Sequence, residues 1–487
     1  MIKQSFNDNR FVYMRILSDE QINEIIQTAM RVLENTGCKI LHKGALKALK
    51  KAGAIIEDQI VRVPPLLVQE SIRSAPKGFS IFNRLGEPCL DLSGTNVYYG
   101  TSTASPNTKD ALSGEIHPTK VDDIAIGAKV ADALESISWV MPFGSSQDVD
   151  PLVADIYEFE AVVTNTTKPM AFCGYSPRGV ELVFEMAAEV SGGKDKLKEK
   201  PFLMSYPEPI SPMEYPEDVV EKMILSADWE IPQITSGAGQ IGATSPVTLA
   251  GSLVQMLSES FMSLVIAQVR KPGAPVFLAA NFGMFDMRTG LNSMASAEGS
   301  LLQGAMAEIA RFFSLPSWGY AGATDSKCLD AQAGIEAAFN MLAQGLAGVN
   351  LIHDVGYMDM GMICSAEMLM MGNEVAGMIK RFLGGINTEK EELAYDIIQK
   401  VGAGGNYLQE EHTHRHFKKC WYPQLLTRQS YASWEASGAK DLRTKCHEKV
   451  KEIIERHSPE PLGEKIRENL ANIRLEGEKE ILSSKHN

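Results

Sequence analysis

The chain is short of cysteine pattern, positive charge, long apolar runs and aromatic rings. Its seven cysteines, Cys38, Cys89, Cys173, Cys328, Cys364, Cys420 and Cys446, are scattered, odd in number and include no CxxC pair. That excludes a disulfide framework and a zinc ribbon, and reads as reduced thiols in a cytoplasmic protein. Lys and Arg number 47 against 61 Asp and Glu, a formal net charge of −14. With no basic run, phosphate backbones and anionic lipid surfaces are both poor partners. No apolar run reaches the ~18 residues that read as a membrane span. The opening Met1-Ile2-Lys3-Gln4-Ser5-Phe6-Asn7-Asp8 has no apolar leader core. Aromatic residues make up only 7% of the chain, so where they sit carries information.

What is there is ordinary globular composition, 487 residues with 44% hydrophobic side chains. That length suits two or three domains, or one large α/β barrel with extensions. Residues 1–95 read as a mixed, mainly helical lead-in. Ser18 can cap a helix, with Gln21 at the capping-box position. Ile22, Ile25, Ile26, Ala29, Val32 and Leu33 then recur at helical spacing until Gly37. Helices at 43–51 and 66–73 and a strand at 60–63 complete it.

From 97 onward, short apolar runs alternate with longer helical stretches. Strands are expected at 97–101, 138–143, 170–174, 202–206, 233–237, 275–280, 317–321 and 349–354, each followed by a helix. Flat apolar strands are those of a parallel sheet buried on both faces. Eight βα units over 96–385 predict an α/β fold, a (β/α)8 TIM barrel, with a doubly wound sheet as the alternative. Residues 386–487 read as a helical extension packed on the barrel.

Gly237-Ala238-Gly239-Gln240-Ile241-Gly242 is a literal GxGxxG behind an expected strand, the pattern of a dinucleotide turn. The reading is rejected. Pro246 would interrupt the helix the third glycine should open, and Glu259, the acidic residue ~20 positions on, falls inside a long helix. His412, His414 and His416 suggest a metal. A helix aligns only 412 with 416, and no Cys or acidic ligand of known spacing accompanies them, so no metal is assigned.

In a barrel the working residues stand at the C-terminal ends of strands. Tyr98, Phe143, Tyr175, Tyr206, Trp318, Tyr320 and Tyr357 fall near those ends, with Glu208, Asp325, Lys327, His353 and Asp354. Rings plug barrels for packing, but a ring-lined mouth with carboxylates also suits a quaternary ammonium ion, held by cation–π attraction.

Three segments stand out together: Ala321-Gly322-Ala323-Thr324-Asp325-Ser326-Lys327 running into Ala331-Gln332-Ala333, Asn350-Leu351-Ile352-His353-Asp354-Val355-Gly356, and Gly404-Gly405-Asn406-Tyr407-Leu408 running into Glu411-His412-Thr413. They resemble the trimethylamine methyltransferase superfamily. Leu17-Ser18-Asp19-Glu20-Gln21-Ile22 and Pro106-Asn107-Thr108 fit too. The resemblance spans nearly the whole chain. It implies a (β/α)8 enzyme that takes a methyl group from a methylated amine and passes it to the cobalt of a separate corrinoid protein. Archaeal trimethylamine enzymes of the family carry pyrrolysine. This chain reads through in ordinary residues, which aligns it with the branch acting on quaternary amines such as glycine betaine, proline betaine, carnitine or γ-butyrobetaine. The Asp325–Cys328 loop is the candidate for the pyrrolysine position.

On that resemblance the chain itself binds no cofactor tightly; the cobalamin is carried by the partner. Tyr98, Phe143, Tyr175, Tyr206, Tyr320 and Tyr357 would cage the ammonium, and Asp354 or Glu208 would balance its charge. His353 or Lys327 would hold a substrate carboxylate, and Asp325 joins His353, Asp354 and Lys327 as the catalytic set. Gly237, Gly239, Gly242, His412 and His416 would face the corrinoid. A cytoplasmic homo-oligomer is expected, with no nucleic-acid or membrane partner. The alternatives are a zinc-dependent barrel enzyme using the histidine cluster and a non-catalytic betaine-binding barrel.

Overall fold

The computed structural model describes residues 12–484; the N-terminal segment read for a leader lies outside them. The Asp19–Asn35 helix opens with the expected capping box, Ser18 accepting from the Gln21 backbone and Gln21 from that of Ser18. Helices Lys43–Lys51 and Pro65–Ser74 and the strand Ile60–Arg62 follow at the expected places.

Every one of the eight expected strand segments carries parallel pairing. Strand Tyr98–Thr101 pairs with Ile137–Trp139. Val140 bridges to Met170, and Met170–Phe172 pairs with Leu203–Ser205. Ser205 bridges to Gln233, and Gln233 to Val276. Leu278–Ala279 pairs with Ser317–Tyr320, which pairs with Leu351–Val355, which returns to Tyr98–Thr101. The helices between them are Val121–Ala133, Ala154–Asn165, Pro177–Ser191, Glu217–Trp229, Leu249–Arg270, Ala297–Phe312, Ala331–Ala347 and Ala366–Leu383. The architecture is thus α/β with parallel sheets and alternating helices.

Side chains from this succession fill one inner core, with Trp139, Met141, Ala171, Met204, Ile234, Phe277, Ala279, Trp318 and Leu351 all buried together. The hairpin of Ser80–Phe82 and Pro88–Asp91 adds Ile81 and Leu90 to it from the strands' N-terminal side. The lead-in is not isolated. Ile26, Ala29 and Leu33 share a core with Leu257, Phe261 and Ile309 of the following helices.

Leu249–Arg270 is the one helix among the described residues long and apolar enough by composition to cross a membrane, although Gln255, Glu259 and its serines interrupt the apolar run. Of its most apolar window 72% is buried within the protein. Its interior Glu259 accepts hydrogen bonds from Ser211 Oγ and the Met213 backbone, as a core helix would. The GxGxxG segment is no dinucleotide turn. Ala238–Ile241 is a strand paired with Asn281–Asp286, and the next helix starts only at Leu249.

In the extension, Leu442–Arg456 buries Cys446, Val450 and Ile453. His447 Nδ1 lies 2.9 Å from Glu367 Oε1 and His457 Nε2 2.7 Å from Asp132 Oδ2, pinning both ends of this helix to the helices of the α/β unit.

Candidate active site

The C-terminal ends of the strands converge on His353. It lies opposite Tyr320 in the register of the last two strands. Trp318 stacks on its ring, centroids 4.5 Å apart at 23°. Tyr206 and Tyr320 approach edge-on at 6.2 Å each. Nδ1 stands 2.6 Å from Asp354 Oδ1, in ion-pair range without the alignment of a hydrogen bond. Nε2 lies 3.5 Å from Asn281 Oδ1, while Asn281 donates to the Tyr206 hydroxyl at 2.7 Å. Both imidazole nitrogens therefore face oxygen acceptors.

Asp354 is buried with φ +79°, a left-handed conformation rare for a residue with a side chain. Such a residue costs of order 1–3 kcal/mol and persists where its surroundings over-determine it. Gly356 and Gly322 beside it also have positive φ. The turn carries Tyr357 back over the strand ends, where its hydroxyl accepts from Thr103 N at 3.2 Å. Tyr206, Tyr320 and Tyr357 keep 5–7% of their surface accessible. Tyr320 donates to the Phe282 carbonyl. Burial raises all three phenols, and the Asp354 charge raises them further, so they stay neutral.

Glu208 follows the Leu203–Ser205 strand and is open to solvent, with protein atoms close around its carboxyl. Burial pushes its carboxyl up to about 7, with Asp354 raising it and His353 and Lys222 lowering it. Tyr175 stands farther out. Its hydroxyl contacts Ser145 Oγ at 2.7 Å and donates to Glu158 Oε2 at 3.1 Å. Glu158 also accepts from Ser146 N and Oγ, and burial holds it up at about 7. Neighbouring Asp155 accepts from Tyr175 N and is raised by burial to about 6.

Several expected placements do not join this cluster. Tyr98 begins its strand, paired two residues below His353 at Leu351, and its hydroxyl accepts from Asp91 of the N-terminal hairpin. It lines the floor, because a strand's first residue lies at the end opposite the mouth. Phe143 is buried against Gly127 and Gly356 and acts as a packing wedge. Asp325 is spent holding a neighbouring loop, accepting from Ser293 Oγ and Met294 N. Lys327 is 64% exposed and turned to the Asp325 carbonyl and Asp359. Gly237 and Gly239 face the Leu249–Arg270 helix, where a Cβ would strike Glu259 and Met256. Gly242 alone opens on a surface turn, beside exposed Val247 and Met287.

His412 and His416 stack at 4.3 Å, while His414 turns to Phe417. His416 meets Glu391, Glu392 and Lys419, all within the extension. The three imidazoles do not converge on one point.

Sequence reasoning gave no role to Trp318 and overlooked Asn281, Glu158 and Asp155. Asp155 and Glu158, one turn apart on the inner face of an apolar helix, are a signal that was there to read. Clefts lined by Arg84, Lys196 and Phe202, and by Asp132, Lys168 and Lys380, open at the N-terminal ends of the strands, away from this cluster.

Comparison with known proteins agrees along the whole chain. Residues 2–478 match the family described as trimethylamine methyltransferase (MTTB). The trimethylamine methyltransferase MttB of Desulfitobacterium hafniense strain DSM 10664 / DCB-2 is 34% identical over 470 residues, 95% of this chain and 94% of that one. A glycine betaine methyltransferase of D. hafniense strain Y51 is 30% identical over 454 residues, 93% and 94% of the two chains. Among solved structures, the monomethylamine methyltransferase MtmB of Methanosarcina barkeri superposes with a TM-score of 0.54 at 10% identity, covering 92% of this chain and 89% of that one.

Proposed function

Since the chain belongs to the trimethylamine methyltransferase family, and is a methyltransferase, we propose that it moves a methyl group from a quaternary amine, glycine betaine or a close analogue, to the Co(I) of a corrinoid protein. We read the ring of parallel pairings as a (β/α)8 barrel, its mouth formed by the strand ends around His353. The observation that carries the substrate reading is this mouth. Tyr206, Tyr320 and Tyr357 each keep a sliver of surface accessible and lie within reach of the buried Asp354 charge, as does Glu208. Rings attract a cation by their quadrupole, and partial desolvation strengthens that attraction to ~2 kcal/mol.

A quaternary N–CH3 leaves a neutral tertiary amine when its methyl is taken, so no proton need be delivered. What remains is holding the cation and aligning its C–N bond, where positioning dominates. Tyr206 and Tyr320 would hold the nitrogen, and Asp354 would set the field. His353, clamped between Trp318, Asp354 and Asn281, would fix that carboxylate. The corrinoid supplies the metal nucleophile that accepts the methyl group. On this chain Gly242, Val247 and Met287 offer it a small, exposed apolar rim. The cage must stay open on that side, since closing rings around the ground state would slow transfer.

The test is a panel of glycine betaine, carnitine, proline betaine, γ-butyrobetaine and trimethylamine with the chain and Co(I) cobalamin. Conversion of the Co(I) visible spectrum to methyl-cobalt, with a stoichiometric demethylated amine, is expected for a quaternary substrate. Methyl-cobalt with trimethylamine alone would overturn the quaternary reading; none with any amine would overturn the proposal.

A further inference from the structure

Outside the mouth, one cluster of side chains is arranged as metal ligands are. A hairpin pairs Asn107–Lys109 with Ile116–Pro118, and its first strand pairs with Ile363–Ser365 after the last barrel strand. Asp110 follows the first strand, His117 lies in the second, and Asp123 sits in the first turn of the Val121–Ala133 helix. One ligand atom from each comes within 4.8 Å of the others, the only such group of three found among the described residues.

We propose that Asp110, His117 and Asp123 form a binding site for a divalent transition-metal ion, zinc in the first instance, that clamps this hairpin to the helix.

Each residue has one heteroatom fixed by backbone and another left over. His117 Nδ1 is 2.9 Å from the Pro118 carbonyl, so its proton sits there and the Nε2 lone pair is free. Ligating histidines are oriented in this way. Asp110 Oδ1 accepts from Leu112 and Ser113 N, leaving Oδ2. Asp123 Oδ2 accepts from Lys120 N at 2.8 Å, leaving Oδ1. The Asp123 side chain is nine-tenths buried, and no hydrogen bond reaches Oδ1 among the described residues.

His117 Nε2 and Asp123 Oδ1 are 3.7 Å apart. That is too long for a hydrogen bond. It is close to the ~3.4 Å that separates two ligands held ~2.1 Å from one tetrahedral ion. Two carboxylates and an imidazole neutralise a dication, and water would fill the fourth position. The imidazole favours a transition ion over Mg2+ or Ca2+, which prefer all-oxygen shells. The Lys120 ammonium also acts on Asp123.

The test uses the full chain, stripped with chelator and titrated with zinc chloride by calorimetry, without amine or corrinoid, so its outcome is independent of methyl transfer. One saturable zinc equivalent is expected, at least about tenfold weaker in His117→Ala and Asp123→Asn and unchanged in a His412→Ala/His416→Ala variant. Zinc should raise the thermal midpoint of the parent and not of His117→Ala. If His117→Ala does not fold, His117→Gln takes its place. No zinc uptake by the parent, or equal uptake by the His117 variant, would overturn the proposal.

Discussion

At the scale of residues, two carboxyls, Glu208 and Glu158, are held above their ordinary range. Glu208 is pushed up to about 7. It is neutral below that pH and anionic above it, so a quaternary cation should bind better as pH rises. The KM for the amine is expected to fall between pH 6 and 8, with kcat little changed, and Glu208→Gln should flatten the KM profile. Glu158, also held at about 7, makes a stability prediction. A carboxyl whose folded pKa is raised contributes most below its unfolded pKa, and that contribution is lost as pH rises through the folded value. The parent should therefore lose up to roughly 3 kcal/mol between pH 5 and 8 relative to Glu158→Gln. Thermal melts of the two proteins across that range measure the difference. Parallel melting curves at all pH values would contradict it.

At the scale of elements, the alternation of strand and helix was legible because a strand buried on both faces must be a flat apolar run. Ser317–Tyr320 and Leu351–Val355 show it plainly, every residue buried. Depth along a strand is set by position in the run, not by residue type. Tyr98 and Tyr320 look alike in sequence, yet one begins its strand and the other ends it. Asp325 looked catalytic because charge sat among small residues at a strand end; in the structure its oxygens tie down a loop. Asp110, His117 and Asp123 follow no familiar ligand spacing and sit on an ordinary hairpin and helix start, so their convergence shows only on folding. Gly356 has φ +113°, and a Cβ there would come within 2.7 Å of the Phe143 ring. Gly356→Ala should lose about 2–4 kcal/mol from strain and overpacking together, read as a lowered denaturant midpoint with unchanged m-value.

At the scale of the whole molecule, three layers of support meet at one point. The N-terminal hairpin fills the floor, Trp318 and Trp139 fill the centre, and the strand ends carry His353, Asp354 and the tyrosines above them. Family and methyltransferase class follow from the whole-chain match. The cation-holding mouth is the central claim built on them, and an isosteric pair tests it most directly. Glycine betaine and 3,3-dimethylbutanoate share a shape and a carboxylate and differ in the charge at the branched centre. Calorimetry should find the betaine bound about tenfold tighter or more. That margin should be retained in Tyr206→Phe, which keeps the ring, and should shrink in Tyr206→Leu, which does not. Equal affinity for the two compounds, or a margin indifferent to the loss of the ring, would contradict the account.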